Sequence, residues 1–157
     1  MMADPRVAYW LGGELTSDDV DAAFDRARAA MDADGFGMWA AERVSDGVLV
    51  GGIGIHRIIP GQPMAGQLEL GWRLTPSAWG SGYATEGAAA ALAWALERLD
   101  VEVIVSCTAR TNVRSEAVMR RIGMERAPQR DFDHPALPPG HALRPHIVYE
   151  KRRARAV

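Results

Sequence analysis

Val20, Phe24, Ala27 and Met31 recur at helical spacing behind a polar start, Thr16-Ser17-Asp18-Asp19. A hydroxyl cap followed by acidic residues suits the unpaired N–H groups and positive end of a helix. The spacing therefore predicts an amphipathic helix over residues 17–33, ending before Gly35. Two β-rich runs follow, 36–44 and 48–58, separated by Ser45-Asp46-Gly47, whose Asp-Gly pair favours a tight hairpin. Ile59-Pro60-Gly61-Gln62-Pro63 forces a longer turn before a third run, 67–74. Three antiparallel strands are expected after the first helix.

Beyond Pro76 the pattern changes. Trp79-Gly80-Ser81-Gly82-Tyr83 excludes regular structure, whereas 84–99 is rich in alanine and leucine and favours a helix with Ala88, Leu92, Ala95 and Leu99 as its buried stripe. Asp100 breaks it, and 101–108 reads as an apolar strand covered on both faces. A shorter helical pattern, 112–122, stops at Gly123, where a left-handed cap is needed. Pro128, Pro135, Pro138, Pro139 and Pro145 exclude regular structure until a last strand at 147–151. The pattern predicts an α/β (α+β) chain.

At 157 residues, with 48% hydrophobic and 24% charged residues, the chain suits one domain with its own core, spanning 1–157. Net charge is -2, and basic residues are dispersed except for Lys151, Arg152, Arg153 and Arg155 in the tail. That distribution is no nucleic-acid footprint, which needs a concentrated positive face. Cys107 is the single cysteine, excluding an intramolecular disulfide and a thiolate metal cluster. Neither a signal-like start nor a membrane-spanning run is present, so a cytoplasmic location without membrane partners is expected.

A strand entering a glycine-containing turn and then a helix is a generic anion site, because free N–H groups and the helix dipole converge on the turn. The alternative is a flexible connection. No Gly-Lys-Ser/Thr follows, and the three-glycine dinucleotide spacing is absent, so neither a P-loop nor a dinucleotide fingerprint is formed.

The run from Leu70 to Glu86, Leu-Gly-Trp-Arg-Leu-Thr-Pro-Ser-Ala-Trp-Gly-Ser-Gly-Tyr-Ala-Thr-Glu, is followed by Asn112-Val113-Arg114-Ser115 and Arg121-Ile122-Gly123-Met124. These segments resemble the GNAT superfamily of N-acetyltransferases, most closely its ribosomal-protein-acetyltransferase-like (RimJ/RimL-like) branch, over Asp4 to about Tyr149. The resemblance implies a mixed, mostly antiparallel sheet splayed between central strands, with helices on both faces, and acetyl-CoA as cosubstrate. In the family the turn reads Arg/Gln-x-x-Gly-x-Gly/Ala and holds the coenzyme A pyrophosphate. Trp79 stands where Arg or Gln is usual, and the branch commonly has Trp there. The implied pyrophosphate contacts are Gly80, Ser81, Gly82, Tyr83, Ala84 and Thr85.

The resemblance further implies that backbone groups of Trp72 and Leu74 pair with the pantetheine arm, a form of strand addition. It also puts Asn112 on pantetheine, where the residues alone equally suit a helix N-cap. Glu69 is the candidate general base, with burial raising its pKa toward neutrality, or it pairs with an arginine. The family's tyrosine acid is replaced by Met119, leaving Ser115 as candidate acid and Tyr149 behind it. Cys107 reads as a small buried hydrophobe.

The segment from Asp131 to His146 resembles a loop beside the acceptor site in one subgroup. It makes His134 and His141 candidate acceptor contacts, or else it is a proline-stiffened structural loop. Its spacing matches no standard metal-ligand pattern, so no metal is expected. Members of the branch begin with a further strand and helix, so the first strand looks to be missing here. The open edge of 36–44 is then expected to be covered by a second subunit, making a homodimer, or by the N-terminal residues. The function implied is direct transfer of an acetyl group to a primary amine of a small molecule or protein N-terminus. The alternative is a coenzyme-A-binding module without turnover.

Overall fold

The computed structural model describes residues 1–2, 4–13 and 16–154. Asp4 caps a short helix, α1 (Pro5–Trp10), that the sequence pattern did not announce. The longer α2 (Ser17–Asp34) starts in a capping box between Thr16 and Asp19 and ends at left-handed Gly35, φ 75°. Its apolar stripe is not buried: no residue of α2 lies in the core, and Phe24 is 64% exposed.

The hairpin forms as expected between β1 (Met38–Arg43) and β2 (Val48–Arg57), with Gly47 at φ 70° and Asp46 Oδ1 accepting from Val48 N–H. β3 (Leu68–Leu74) pairs antiparallel with β2. The crossover helix α3 (Tyr83–Arg98) returns the chain to β4 (Val103–Ala109), parallel to β3. α4 (Val113–Arg121) ends just before Gly123, φ 75°.

The proline-rich stretch departs from expectation. It holds two-residue strands, β5 (Glu125–Arg126) and β6 (Phe132–Asp133), both paired with the last strand, β7 (Pro145–Arg152). Two-residue strands carry no periodicity, and β7 supplies the partners that local sequence cannot show. The sheet order is β1-β2-β3-β4-β7-β5, with β6 also on β7, and every pairing except β3–β4 is antiparallel.

One face carries the main core, where Ile53, Ile55, Leu68 and Leu70 of the sheet meet Ala88, Leu92 and Ala95 of α3 and Met119 of α4. α3 approaches closely because Gly87 has no side chain: a β-carbon there would lie 2.5 Å from Ile53 Cδ1. The opposite face carries a smaller cluster of Val105, Val148, Ile58 and Ala127.

Among the described residues no strand pairs with the outer edge of β1. None of the described N-terminal residues forms a strand on it, and Met2 lies beside Arg73 of β3. A groove of about 610 Å³ lies along this edge, lined by Trp39, Ala41, Ile53, Gly87, Ala91 and Trp94.

Candidate functional site

β3 and β4 are joined over two residue pairs only, Leu68↔Ile104 and Glu69↔Val105, and then part. The Ser106 hydroxyl donates to the Leu70 carbonyl at 2.9 Å, closing the floor of the gap. Because N–H and C=O groups alternate sides along a strand, a Leu70 carbonyl facing β4 means that Trp72 and Leu74 also aim their backbone groups into the gap. At its upper end the Trp79 indole N–H donates to the Leu74 carbonyl at 3.0 Å, and the Arg114 guanidinium lies over the Trp79 ring, 5.2 Å from its centroid. Trp79 thus braces β3 against α4, and of Leu74's two backbone groups the carbonyl is already taken.

The bend after Trp79 is open. Gly80 (φ 79°) and Gly82 (φ 87°) need the left-handed region, and a β-carbon at either would meet nothing within 4 Å. Gly82 caps α3 without any side-chain hydrogen bond, so the N–H groups of Tyr83, Ala84 and Thr85 face outward at the positive end of a 16-residue helix, beside exposed Ser81. Nothing packs this bend shut, and its amides fit a diphosphate.

Glu69 and His56 are cross-strand partners on the face opposite α3, with His56 Nε2 3.2 Å from Glu69 Oε2. The other carboxylate oxygen accepts from Cys107 Sγ–H at 3.0 Å. Burial pushes the Glu69 carboxyl up, but the hydrogen bond and charge of His56 and the Cys107 hydrogen bond outweigh it and hold it below the ordinary carboxylate value. The expected upward shift is reversed because both oxygens are engaged. No arginine forms an ion pair with Glu69 among the described residues; Arg73, on the same face of β3, has its pKa lowered by burial and partly restored by the charge of Glu69. As expected of a small hydrophobe, Cys107 packs against the smaller apolar cluster; it is half-buried, its thiol is also hydrogen-bonded to Glu69, and burial and the Glu69 charge push that thiol far up.

Asn112 caps α4, its Oδ1 accepting from Ser115 N–H at 3.3 Å, which is the structural alternative open in the sequence. Ser115 sits half-buried in the first turn of α4. Met119, in the place of the family tyrosine, is 1% exposed and belongs to the core. The Tyr149 hydroxyl is committed, donating to Glu116 at 2.8 Å and accepting from Arg120 at 3.2 Å, so it is no free acid.

The loop before β7 splits the two histidine candidates. His134 turns toward the site: its ring lies 5.0 Å from that of His146, and both imidazoles feel the charge of Glu69. His141 serves its own turn, with Nδ1 accepting from Leu143 N–H at 3.1 Å. No cluster of three or more metal-ligating side chains occurs among the described residues, and Arg155 of the basic tail lies outside them.

A family model described as an acetyltransferase (GNAT) domain matches residues 1–125. The chain belongs to the GNAT acetyltransferase family. This GNAT domain is similar to the crystal structure of an acetyltransferase from Agrobacterium tumefaciens, with TM-score 0.76 and 30% identity, covering 96% of this chain and 80% of that one. It shares its fold with a ribosomal-protein-alanine N-acetyltransferase from Brucella melitensis, with TM-score 0.68 and 22% identity over 93% of this chain and 84% of the other. A stretch of 56 residues is 39% identical to an Aspergillus fumigatus FsC-acetyl coenzyme A-N(2)-transacetylase, covering 36% of this chain and 24% of that longer protein. His56, Arg114 and His146 of this GNAT domain were not legible as site residues, because no spacing in the sequence links them to Glu69 or to the bend.

Proposed function

We propose that the chain is an N-acetyltransferase of the RimJ/RimL-like branch, moving an acetyl group from acetyl-CoA directly to a primary amine. The observation that carries this is the gap between β3 and β4 ending at the uncapped start of α3. Pantetheine would add along β3 through the backbone of Trp72 and the Leu74 N–H, and the pyrophosphate would sit on the amides of 80–85. Bound acetyl-CoA supplies an activated acyl carbon. The protein's share is to hold the amine beside it, exclude water and manage the protons that leave its nitrogen. Glu69, an anion on the acceptor face, suits a cationic acceptor, and His134 lines the same region.

Ser115 is the candidate proton donor to the departing sulfur. The N(2)-transacetylase and the ribosomal-protein-alanine N-acetyltransferase, by their names, both modify nitrogen, which supports an amine acceptor here. A cytoplasmic homodimer, with the bare edge of β1 as the surface to be covered, belongs to the same proposal.

The test is thermal protection by coenzyme A together with thiol release from acetyl-CoA across an amine panel, with the mass in solution read by light scattering. Expected are protection, release with at least one amine, and a mass twice 17.0 kDa. Protection without release from any amine would leave the binding-module reading, and the absence of protection would sink both. A mass of one chain removes the dimer alone.

A further inference from the structure

Glu69 has no idle oxygen. One accepts from Cys107 and the other faces His56, and the carboxyl is held below its ordinary value, so it suits holding an ammonium better than taking its proton. Proton acceptance calls for a neutral group with a free lone pair and a pKa nearer neutrality. The start of β7 supplies one.

His146 lies on β7 opposite Ala109 of β4, on the sheet face that carries Cys107 and Val148. Cys107 is directly opposite Val148, so His146 is its diagonal neighbour, at about 7–8 Å for such a pair. His146 Nδ1 lies 3.2 Å from the Arg144 carbonyl. A carbonyl only accepts, so Nδ1 carries the hydrogen and Nε2 of the neutral ring keeps its lone pair.

The ring is fixed from both sides: it stacks on Phe132, with centroids 5.2 Å apart and planes at 23°, and borders His134. The segment around it is braced. Arg144 Nε pairs with Asp133 at 3.2 Å and its Nη1 donates to the Leu137 carbonyl, while His134 N–H donates to the Arg144 carbonyl at 2.7 Å. The Arg144 carbonyl thus faces both the His134 N–H and the His146 ring, which ties the two histidines to one braced loop.

We infer that His146, with Nε2 as the accepting atom, is the general base of the acyl transfer, and that Glu69 positions the ammonium group of the acceptor. This rests on the acetyltransferase reading above. The step balances: the ammonium N–H bond breaks, the proton passes to Nε2, and its electron pair stays on nitrogen. That pair then forms the N–C bond to the acyl carbon while the C–S bond breaks toward sulfur; the second N–H proton of the acylated nitrogen is released as Ser115, the candidate donor, protonates the sulfur, so the products are the neutral amide and the thiol.

The groups that set the charge of His146 are Asp133 on β6 and His134 just after it, Arg144 in the loop, Cys107 on β4, Glu69 and Arg73 on β3, and His56 on β2. Burial lowers the His146 pKa, the hydrogen bond to Arg144 opposes this, His134 lowers it further and Glu69 raises it, with a net lowering that keeps the ring neutral near pH 7.

The test uses H146N, whose amide can still donate to the Arg144 carbonyl but has no ring lone pair, beside H146Q and wild type. For H146N we expect unchanged acetyl-CoA binding and thiol release reduced on the order of 10²-fold at neutral pH. The deficit should shrink as pH rises or when the amine is weakly basic and already neutral, such as an alkoxyamine. A purely structural role would give one deficit at every pH and for every amine, and that result overturns the assignment, as does undiminished activity.

Nitrogen NMR of labelled histidine reads the ring without turnover. A protonated Nε2 in the neutral ring would refute the tautomer and the base role together. If wild type releases no thiol with any amine while binding acetyl-CoA, the transferase reading and the base role both fall. Release by wild type with H146N unaffected removes the base role alone.

Discussion

The contact between Cys107 Sγ–H and Glu69 Oε1 couples two groups whose states are set first by burial. Burial disfavours a thiolate, and a carboxylate 3.0 Å away disfavours it further, so the thiol stays protonated at any physiological pH. Reaction with disulfide reagents needs the thiolate. Cys107 in the folded protein should therefore react at pH 8 at least about a hundredfold slower than a free thiol, and at the ordinary rate once unfolded. In E69Q the native rate should rise. Fast reaction of the folded wild type would contradict this arrangement. Among the described residues no group activates this sulfur for a covalent acyl route; every influence on it favours the thiol.

At the scale of elements, the turn between β3 and α3 works by backbone conformation. A methyl group at Gly82 would strike nothing, so the effect of Gly82→Ala comes from its φ of 87°, which costs a non-glycine residue about 1–2 kcal/mol. The bend should relax and its amides turn away, weakening coenzyme A binding by about tenfold, since 1.4 kcal/mol is a factor of ten. An unchanged affinity by calorimetry would show that this bend does not hold the diphosphate.

The same turn was readable in the sequence, because Gly80, Gly82 and the alanine-rich run after them express a local requirement. So were α2, the hairpin and the end of α4 at Gly123, each marked by a cap or a turn residue. What the sequence withheld is set by partners distant in the chain. β5 and β6 exist only because β7 runs beside them, and the exposed stripe of α2 has helical spacing without a core to meet. Glu69 was visible as a carboxylate on the right strand, yet its lowered pKa depends on His56 and Cys107, 13 and 38 positions away.

For the whole molecule, the histidine pair links stability to acidity. Burial holds His134 and His146 below the ordinary value of 6.5, so the unfolded chain binds more protons than the folded one just below that pH. Stability from these groups is complete above pH 6.5 and is lost as pH falls toward their folded values. Glu69, also lowered, adds a further loss below its ordinary 4.5. Thermal midpoints should drop between pH 7.5 and 5.5, and the drop should be smaller in a variant lacking both imidazoles. Midpoints that stay level over that range would contradict the assigned shifts.

The brief pairing of β3 with β4 divides the sheet into two leaves stitched along a two-residue seam. Past the seam the edge of β3 is no longer paired with β4, though its Leu70 and Leu74 carbonyls are engaged by Ser106 and Trp79, and an extended amide-bearing molecule lying in the gap would extend the sheet as a foreign strand. Loading and folding would then draw on one set of hydrogen bonds, so that occupancy of the gap should raise the stability of the fold as well as prepare it for reaction.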